Sequence, residues 1–254
     1  MENLPRFTFN GGVSLGQKQF YDTYGFIIFK GVLSTQEQAT ILEDAYELEQ
    51  RTLAGTIPVS DIDDITPVGT MPDGKPLVHR LPYFTRYSPR SRTLIEEKQL
   101  LALGRGLIGE QAWLLEDTMH GAIFQQKLAA PQSQYSHIHW HIDFPADHVL
   151  GPVVSIGMYL DASTVANGCL LLVPASHRFP PGRFQAPAIP IEVEAGDVVC
   201  HADRIYHAST RPTERGAIRR TLYLYICAGT YPGANLPFSS EQTKRSVRTL
   251  FTAR

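Results

Sequence analysis

Ser136-His137-Ile138-His139-Trp140-His141-Ile142-Asp143-Phe144 alternates polar and apolar side chains. On an extended strand successive side chains leave opposite faces. His137, His139, His141 and Asp143 then share one face, and Ile138, Trp140 and Ile142 take the other. The pattern predicts a strand over 136–143. It also makes His141 and Asp143 same-face neighbours, as two ligands of one metal must be. Two imidazoles and one carboxylate can bind one face of a divalent iron and leave the opposite face open for chemistry. The third ligand is expected from Ile205-Tyr206-His207-Ala208-Ser209, brought near only by folding.

Outward from this stretch, short strands separated by Pro, Gly and Asn dominate. They are read at roughly 113–117, 121–128, 136–143, 152–160, 169–173, 190–193, 197–201, 205–208 and 219–227. Strands at such spacing without intervening helices indicate a sandwich or jelly roll. Helices come first: Ser14 to Thr23, a longer one opened by the capping-box pattern Ser34-Thr35-Gln36-Glu37 and running to about Arg51, and Ser91 to Leu107. Ile41, Leu42, Ala45 and Leu48 form the apolar stripe of the longer helix. Phe26-Ile27-Ile28-Phe29 reads as a buried strand. Leu53 to Pro82, broken by repeated Pro, Gly and Asp, reads as a long irregular connection, either a lid over a site or an insertion. The fold class is α+β: an antiparallel β core, a sandwich or jelly roll, with flanking N-terminal helices. One domain over 1–254 is expected, helical to about 111, β from about 112 to 230, then a tail over 231–254.

The chain has 254 residues, 43% of them hydrophobic and 19% charged, so it can bury a sizeable core. Its formal charge of -2 and the lack of a long basic run give no reason to expect a nucleic-acid partner. Lys244, Arg245, Arg248 and Arg254 make the tail basic, as a solvated helix face would. Cys169, Cys200 and Cys227 are widely spaced and lack a CxxC pair, which predicts buried free thiols. The first residues lack the basic-then-apolar pattern of a signal peptide, and no apolar run is long enough to span a bilayer. A cytoplasmic protein without membrane contact is expected, with its oligomeric state unread.

Arg219-Arg220 opens the last strand, and a buried guanidinium there needs an anionic partner. Arg219 shares its face with Thr221, Tyr223 and Tyr225, and Arg220 with Leu222, Leu224 and Ile226; the polar face favours Arg219 as the inward residue. His139 with His141 is an alternative metal pair, and His201 competes with His207. His177 reads as structural, and His79, His120 and His148 as satisfied or exposed. Lys127 shares the face of Gln125 and could meet an anion. Ser155 and Gly157 could line a site, and Arg80, Tyr83 and Arg86 could close over a ligand.

The chain resembles the phytanoyl-CoA dioxygenase-like family of non-haem iron(II), 2-oxoglutarate-dependent oxygenases, which has ectoine hydroxylase among its relatives. The resemblance is carried by Trp140-His141-Ile142-Asp143-Phe144, by Asn167-Gly168-Cys169-Leu170-Leu171-Leu172-Val173-Pro174-Ala175-Ser176-His177-Arg178, and by Gly196-Asp197, His207-Ala208-Ser209 and Arg219. Tyr24 to Ser34 resembles the family's opening strand and helix start. The resemblance implies a double-stranded β-helix (cupin-like jelly roll) with Fe(II) held by His141, Asp143 and His207. It also implies 2-oxoglutarate as cosubstrate, bound by Arg219 with Ser209 and Gln125, and O2 as the oxidant. The interval between His207 and the arginine is one residue longer than in ectoine hydroxylase, so Arg220 stays a candidate. Asp143 disfavours halogenation, because related halogenases carry a small residue there. The function implied is oxidation, foremost hydroxylation, of an unactivated C–H bond in a small molecule. A cupin-like metal isomerase or lyase and a non-catalytic small-molecule binder are the alternatives on the same fold.

Overall fold

The computed structural model describes residues 4–62, 66, 68–116, 121–129, 133, 136–144, 151–180 and 186–232. His120, His148 and the basic tail residues lie outside the described residues. The first two helices, α1 (Leu15–Tyr24) and α2 (Thr35–Leu53), start with reciprocal capping boxes. Ser14 and Ser34 accept from the backbone N–H of Gln17 and Glu37, whose side chains reach back to the caps. Between them β1 (Phe26–Phe29) is buried on both faces. On α2 the stripe of Ile41, Ala45 and Leu48 is buried as its spacing requires.

The segment after α2 is more ordered than its composition indicates. It holds a single 3-10 turn at 59–61, a hairpin of β2 (Val68–Thr70) and β3 (Pro76–Val78), and a two-residue strand β4 (Arg80–Leu81). Leu77, Val78 and Leu81 are core residues, and Asp61 is held by Arg86 at 3.0 Å and by the Tyr87 hydroxyl. Proline opens β3, where no ladder donor is lost. The expected helix over 91–107 is two helices, α4 (Pro89–Glu97) and α5 (Leu100–Ile108), after the single turn α3 (Phe84–Tyr87). The break is Gln99, whose φ of 54° reverses the chain and lets Leu100, Leu103 and Leu107 enter the core.

The remaining strands are β5 (Ala112–Leu114), β6 (Ile123–Leu128), β7 (Val153–Tyr159), β8 (Leu170–Leu172), β9 (Ile189–Ile191), β10 (Val198–Ala202), β11 (His207–Ser209) and β12 (Ile218–Ala228). They form a large antiparallel sheet in the order β1-β10-β7-β12-β6-β4, with β5 on the far end of β12, and a small sheet β11-β8-β9. Alternation sorts the large sheet's side chains between two cores. Ile27, Phe29, Val154, Ile156, Leu222 and Leu224 face the helices and meet Ile41, Leu48 and Leu103. Phe26, Ile28, Tyr159 and Val199 face the small sheet and meet Leu170, Leu172, Ile189 and Ile191. Each such side chain contributes roughly 1.5–3 kcal/mol by burial, so both interfaces resist opening. The result is the expected α+β jelly roll, with the cleft between its sheets left for polar residues.

Two family-like motifs prove structural. His177 Nε2 donates to the Asp22 carbonyl at 3.2 Å, and its ring fills the space where Gly25, at φ 78°, lacks a side chain. Asp197 binds Arg6 Nη1 (2.6 Å) and the backbone N–H groups of Gly31 (2.9 Å) and Glu194 (3.1 Å). It thereby ties β10 to the end of β1.

Candidate metal and anion site

His141 and His207 meet as an antiparallel bridge, each N–H donating to the other's carbonyl at 2.9 and 3.0 Å. Their rings lie 4.2 Å apart. Asp143 Oδ1 sits 3.6 Å from His141 Nε2 and 3.5 Å from His207 Nε2. Two donors that each bind a metal at about 2.1 Å lie at most about 4.2 Å apart, so both contacts suit one ion. The three residues form a cluster whose ligand atoms all lie within 4.8 Å of one another.

The tautomers fit as well. His141 Nδ1 faces the His139 carbonyl at 2.8 Å and His207 Nδ1 faces the Ile205 carbonyl at 2.9 Å. A carbonyl accepts only, so each Nδ1 carries its proton and each Nε2 presents a lone pair to the cluster. Burial, and then the neighbouring His141, push the His207 imidazole well below its usual range, keeping it neutral. Burial alone would raise the Asp143 carboxyl; His207 first, then His141 and His201, pull it well below the usual carboxylate range when their rings are protonated. Neutral imidazoles and an ionised carboxylate are the forms in which these groups bind metal.

The expected strand over 136–143 is absent; the segment makes a single bridge, at His141, between bends at 140 and 143. Given the 141–207 pairing, straight register would put the next bond from Ser209 N–H on residue 139. It goes to the Ile138 carbonyl instead, at 3.0 Å. One extra residue therefore sits on this side of the ladder, as in a β-bulge, and the alternation shifts. Ile138, His141 and Asp143 line the cavity, while His139 and Trp140 are exposed. Trp140 stacks on Tyr206 at 5.0 Å. The His139/His141 metal pair does not form, because the bulge turns His139 outward. His201 lines the cavity beside the cluster without joining it.

The other end of the cavity is cationic. Alternation along β12 turns Arg219 inward with Tyr223 and Tyr225. Arg220 points away and is held in a fork by Asp161 at 2.8 and 2.6 Å, so it leaves the cavity to its neighbour. Arg219 is buried, its Nε has no hydrogen-bond partner among the described residues, and its guanidinium lies 6.0 Å from the Tyr159 ring. Lys127, opposite Arg219 in the ladder, is also buried and places Nζ 3.0 Å from Ser209 Oγ. Burial, and next the charge on Arg219, press the Lys127 ammonium well below its usual range. Ser209 Oγ also accepts from Ile138 N–H at 2.8 Å. Both its acceptor positions are thus used by groups that only donate, so the hydroxyl proton must go to a further acceptor.

Gln125 lines the cavity, its Oε1 without a hydrogen-bond partner among the described residues. Space above Gly157 is not open: a Cβ there would meet the Tyr223 ring at 3.0 Å. Arg80, Tyr83 and Arg86 are not among the described cavity-lining residues; Arg86 lies 4.3 Å from the Tyr83 ring. His79 is buried with Nδ1 on the Gln126 carbonyl, as a core histidine. Sequence reading missed Ile138, turned inward by the bulge.

The family model for phytanoyl-CoA dioxygenase (PhyH) matches residues 21–221. Solved structures with the same fold include the carbocyclase SnoK from nogalamycin biosynthesis, described as non-haem and alpha-ketoglutarate dependent. It has 18% identity, a TM-score of 0.67 and 90% of each chain covered. EctD from S. alaskensis, crystallised with 2-oxoglutarate and 5-hydroxyectoine, has 21% identity and a TM-score of 0.66, covering 87% of this chain and 78% of that one. EvdMO1 has 21% identity and a TM-score of 0.65 over 85% of this chain, which spans half the length of that chain. No curated protein sequence matches.

Proposed function

The chain belongs to the phytanoyl-CoA dioxygenase family, and we propose that it is an Fe(II)- and 2-oxoglutarate-dependent oxygenase acting on a small organic molecule. His141, Asp143 and His207 hold the iron in this reading. Arg219, Lys127 and Ser209 hold the distal carboxylate of 2-oxoglutarate, with Gln125 alongside. The chemistry that iron supplies when bound is oxidative decarboxylation of the cosubstrate coupled to oxidation of a C–H bond.

The observation that carries the proposal is the division of one cavity into two complementary halves. At one end lone pairs converge from two imidazoles and a carboxylate. At the other, two buried cations and a hydroxyl that must donate converge on one place. A metal answers the first, and a carboxylate answers the second. A single small molecule with a metal-binding end and a carboxylate end satisfies both, as 2-oxoglutarate does. The chain's own work is to orient the cosubstrate between these ends and to keep the reacting bond away from bulk water, behind Tyr223 and Tyr225. Hydroxylation is the outcome we favour, supported by the family resemblance and the hydroxylated ligand of EctD. The three free, buried thiols suit a reducing, cytoplasmic setting; no helix among the described residues is long and apolar enough to cross a membrane.

The test is succinate formation from 2-oxoglutarate by the iron-loaded protein across a panel of small metabolites. The proposal expects turnover that depends on 2-oxoglutarate and disappears in Asp143→Ala. Turnover that persists without 2-oxoglutarate and ignores loss of Arg219 would favour the isomerase or lyase reading.

A further inference from the structure

The large sheet has a second cavity on its other side. Along β12, Tyr223 and Tyr225 face the metal cavity, while Leu224 and Ile226 face the helices. These two help to line a space of about 470 Å³ between α4, α5 and β5. Ile95, Leu101 and Leu114 extend its hydrocarbon wall, and Trp113, packed edge-on with Tyr231 at 5.2 Å, adds aromatic surface. Among the described residues the two cavities share no lining residue. Loose packing is not the cause of the space. The helix α5 lies so close to β12 that a Cβ at Gly104 would meet Ile226 Cδ1 at 2.5 Å. Gln99, whose φ of 54° separates α4 from α5, is among the lining residues.

Two polar groups of this cavity lack what their chemistry asks for. Thr85, in its wall, is 2% exposed, and its Oγ1 has no hydrogen-bond partner among the described residues. A buried hydroxyl without a partner is unusual in a native fold. The second group is a cation. Arg92 is answered by Glu96 at 3.4 Å and by Glu116 at 2.8 Å. Arg105 has no carboxylate among the described residues; its Nη2 meets the Ala112 carbonyl at 3.5 Å, at the far limit of a hydrogen bond. Water against the hydrocarbon wall finds few partners, so apolar matter displaces it readily. An apolar wall with a few placed polar groups, at this volume, is the make-up of a small-molecule site.

We propose that this cavity is a binding site, separate from the metal centre, for a compact molecule with an apolar ring body and one anionic group. The body lies against Leu101, Leu224 and Ile226, the anion meets Arg105, and an oxygen on the body accepts from Thr85. Walls drawn from α4, α5, β5 and β12 suit a compact ligand better than an extended peptide. The proposal stands apart from the iron reading, since none of its residues belongs to the donor cluster or to the anion end of the other cavity.

Dansylglycine and dansylamide are the probes. Both carry a naphthalene ring and sulfonyl oxygens, and only the first carries a carboxylate. Fluorescence titration of the intact chain should show one saturable site for each, with dansylglycine the tighter. Leu101→Trp, which fills the cavity from a half-buried position, should abolish both. Arg105→Glu should weaken dansylglycine roughly 10-fold and leave dansylamide within about two-fold. Thr85→Val keeps the shape and removes the hydroxyl; it should weaken both roughly 3- to 10-fold without lowering the unfolding temperature. Arg219→Leu, in the other cavity, should change neither affinity. No saturable binding by wild type, or wild-type affinity in Leu101→Trp, would overturn the site. Loss of both probes in Arg219→Leu would place them in the metal cavity and overturn it as well. An equal response of the two probes to Arg105→Glu would overturn the anionic class of ligand. Should Leu101→Trp fail to fold, the other two variants decide: unchanged affinities in both Thr85→Val and Arg105→Glu would refute the proposal.

Discussion

Lys127 lies directly opposite Arg219 in the β6–β12 ladder, and both side chains are buried. Two like charges opposite each other destabilise a sheet unless something else binds them. With Lys127 anchored on Ser209 and Arg219 Nε without a hydrogen-bond partner among the described residues, the guanidinium carries the demand for an anion.

That demand has a pH signature. Burial and Arg219 lower the Lys127 ammonium below its unfolded value, so the unfolded chain holds the proton more tightly than the folded one. Below the folded pKa the penalty is complete. As pH rises from there towards about 10.4 the unfolded chain binds more protons, and stability rises. Thermal unfolding of the ligand-free protein, followed from about pH 7 to about 10, should show wild type gaining on Lys127→Met. Parallel curves would contradict the assignment.

The adjacent arginines should behave oppositely. Arg219→Leu leaves Lys127 and Ser209 without their third partner at the anion and should weaken 2-oxoglutarate binding roughly 100-fold or more. Arg220→Leu breaks a half-buried fork with Asp161, costing about 1 kcal/mol or less of stability and leaving that affinity unchanged. Anaerobic calorimetry with 2-oxoglutarate on both variants separates them; a larger loss in Arg220→Leu would reverse the assignment.

Asp197 should matter for folding alone. Asp197→Ala strands the N–H groups of Gly31 and Glu194 and the Arg6 guanidinium, a cost of about 2–4 kcal/mol. Chemical denaturation should register that loss while cobalt affinity per folded molecule stays at the wild-type value.

Much of this site could be read from the chain because its logic is periodic or local. The face shared by Arg219, Tyr223 and Tyr225 follows from alternation, and the Ser34 cap from spacing along one turn. Chemistry narrowed the partner of His141 and Asp143 to His201 or His207, since few residue types bind iron, and the family resemblance chose His207. What escaped was set by long-range geometry. The extra residue between Ile138 and His141 is visible only against its partner strand, so alternation placed His139 inside and Ile138 outside. Likewise, β4 forms because β6 offers an edge to Arg80 and Leu81, and nothing within 53–82 announces that. The turn at Gln99 is a backbone choice that lets α5 bury its leucines, against the helical preference of the sequence around it.

The account rests on one cavity holding a metal at one end and a dicarboxylate at the other. Anaerobic titration of 2-oxoglutarate into the protein, with and without one equivalent of Fe(II), measures that most directly. The prediction is a single site whose affinity rises sharply with iron, loses that gain in Asp143→Ala, and collapses in Arg219→Leu. Binding that is indifferent to iron, or unaffected by both substitutions, would contradict it.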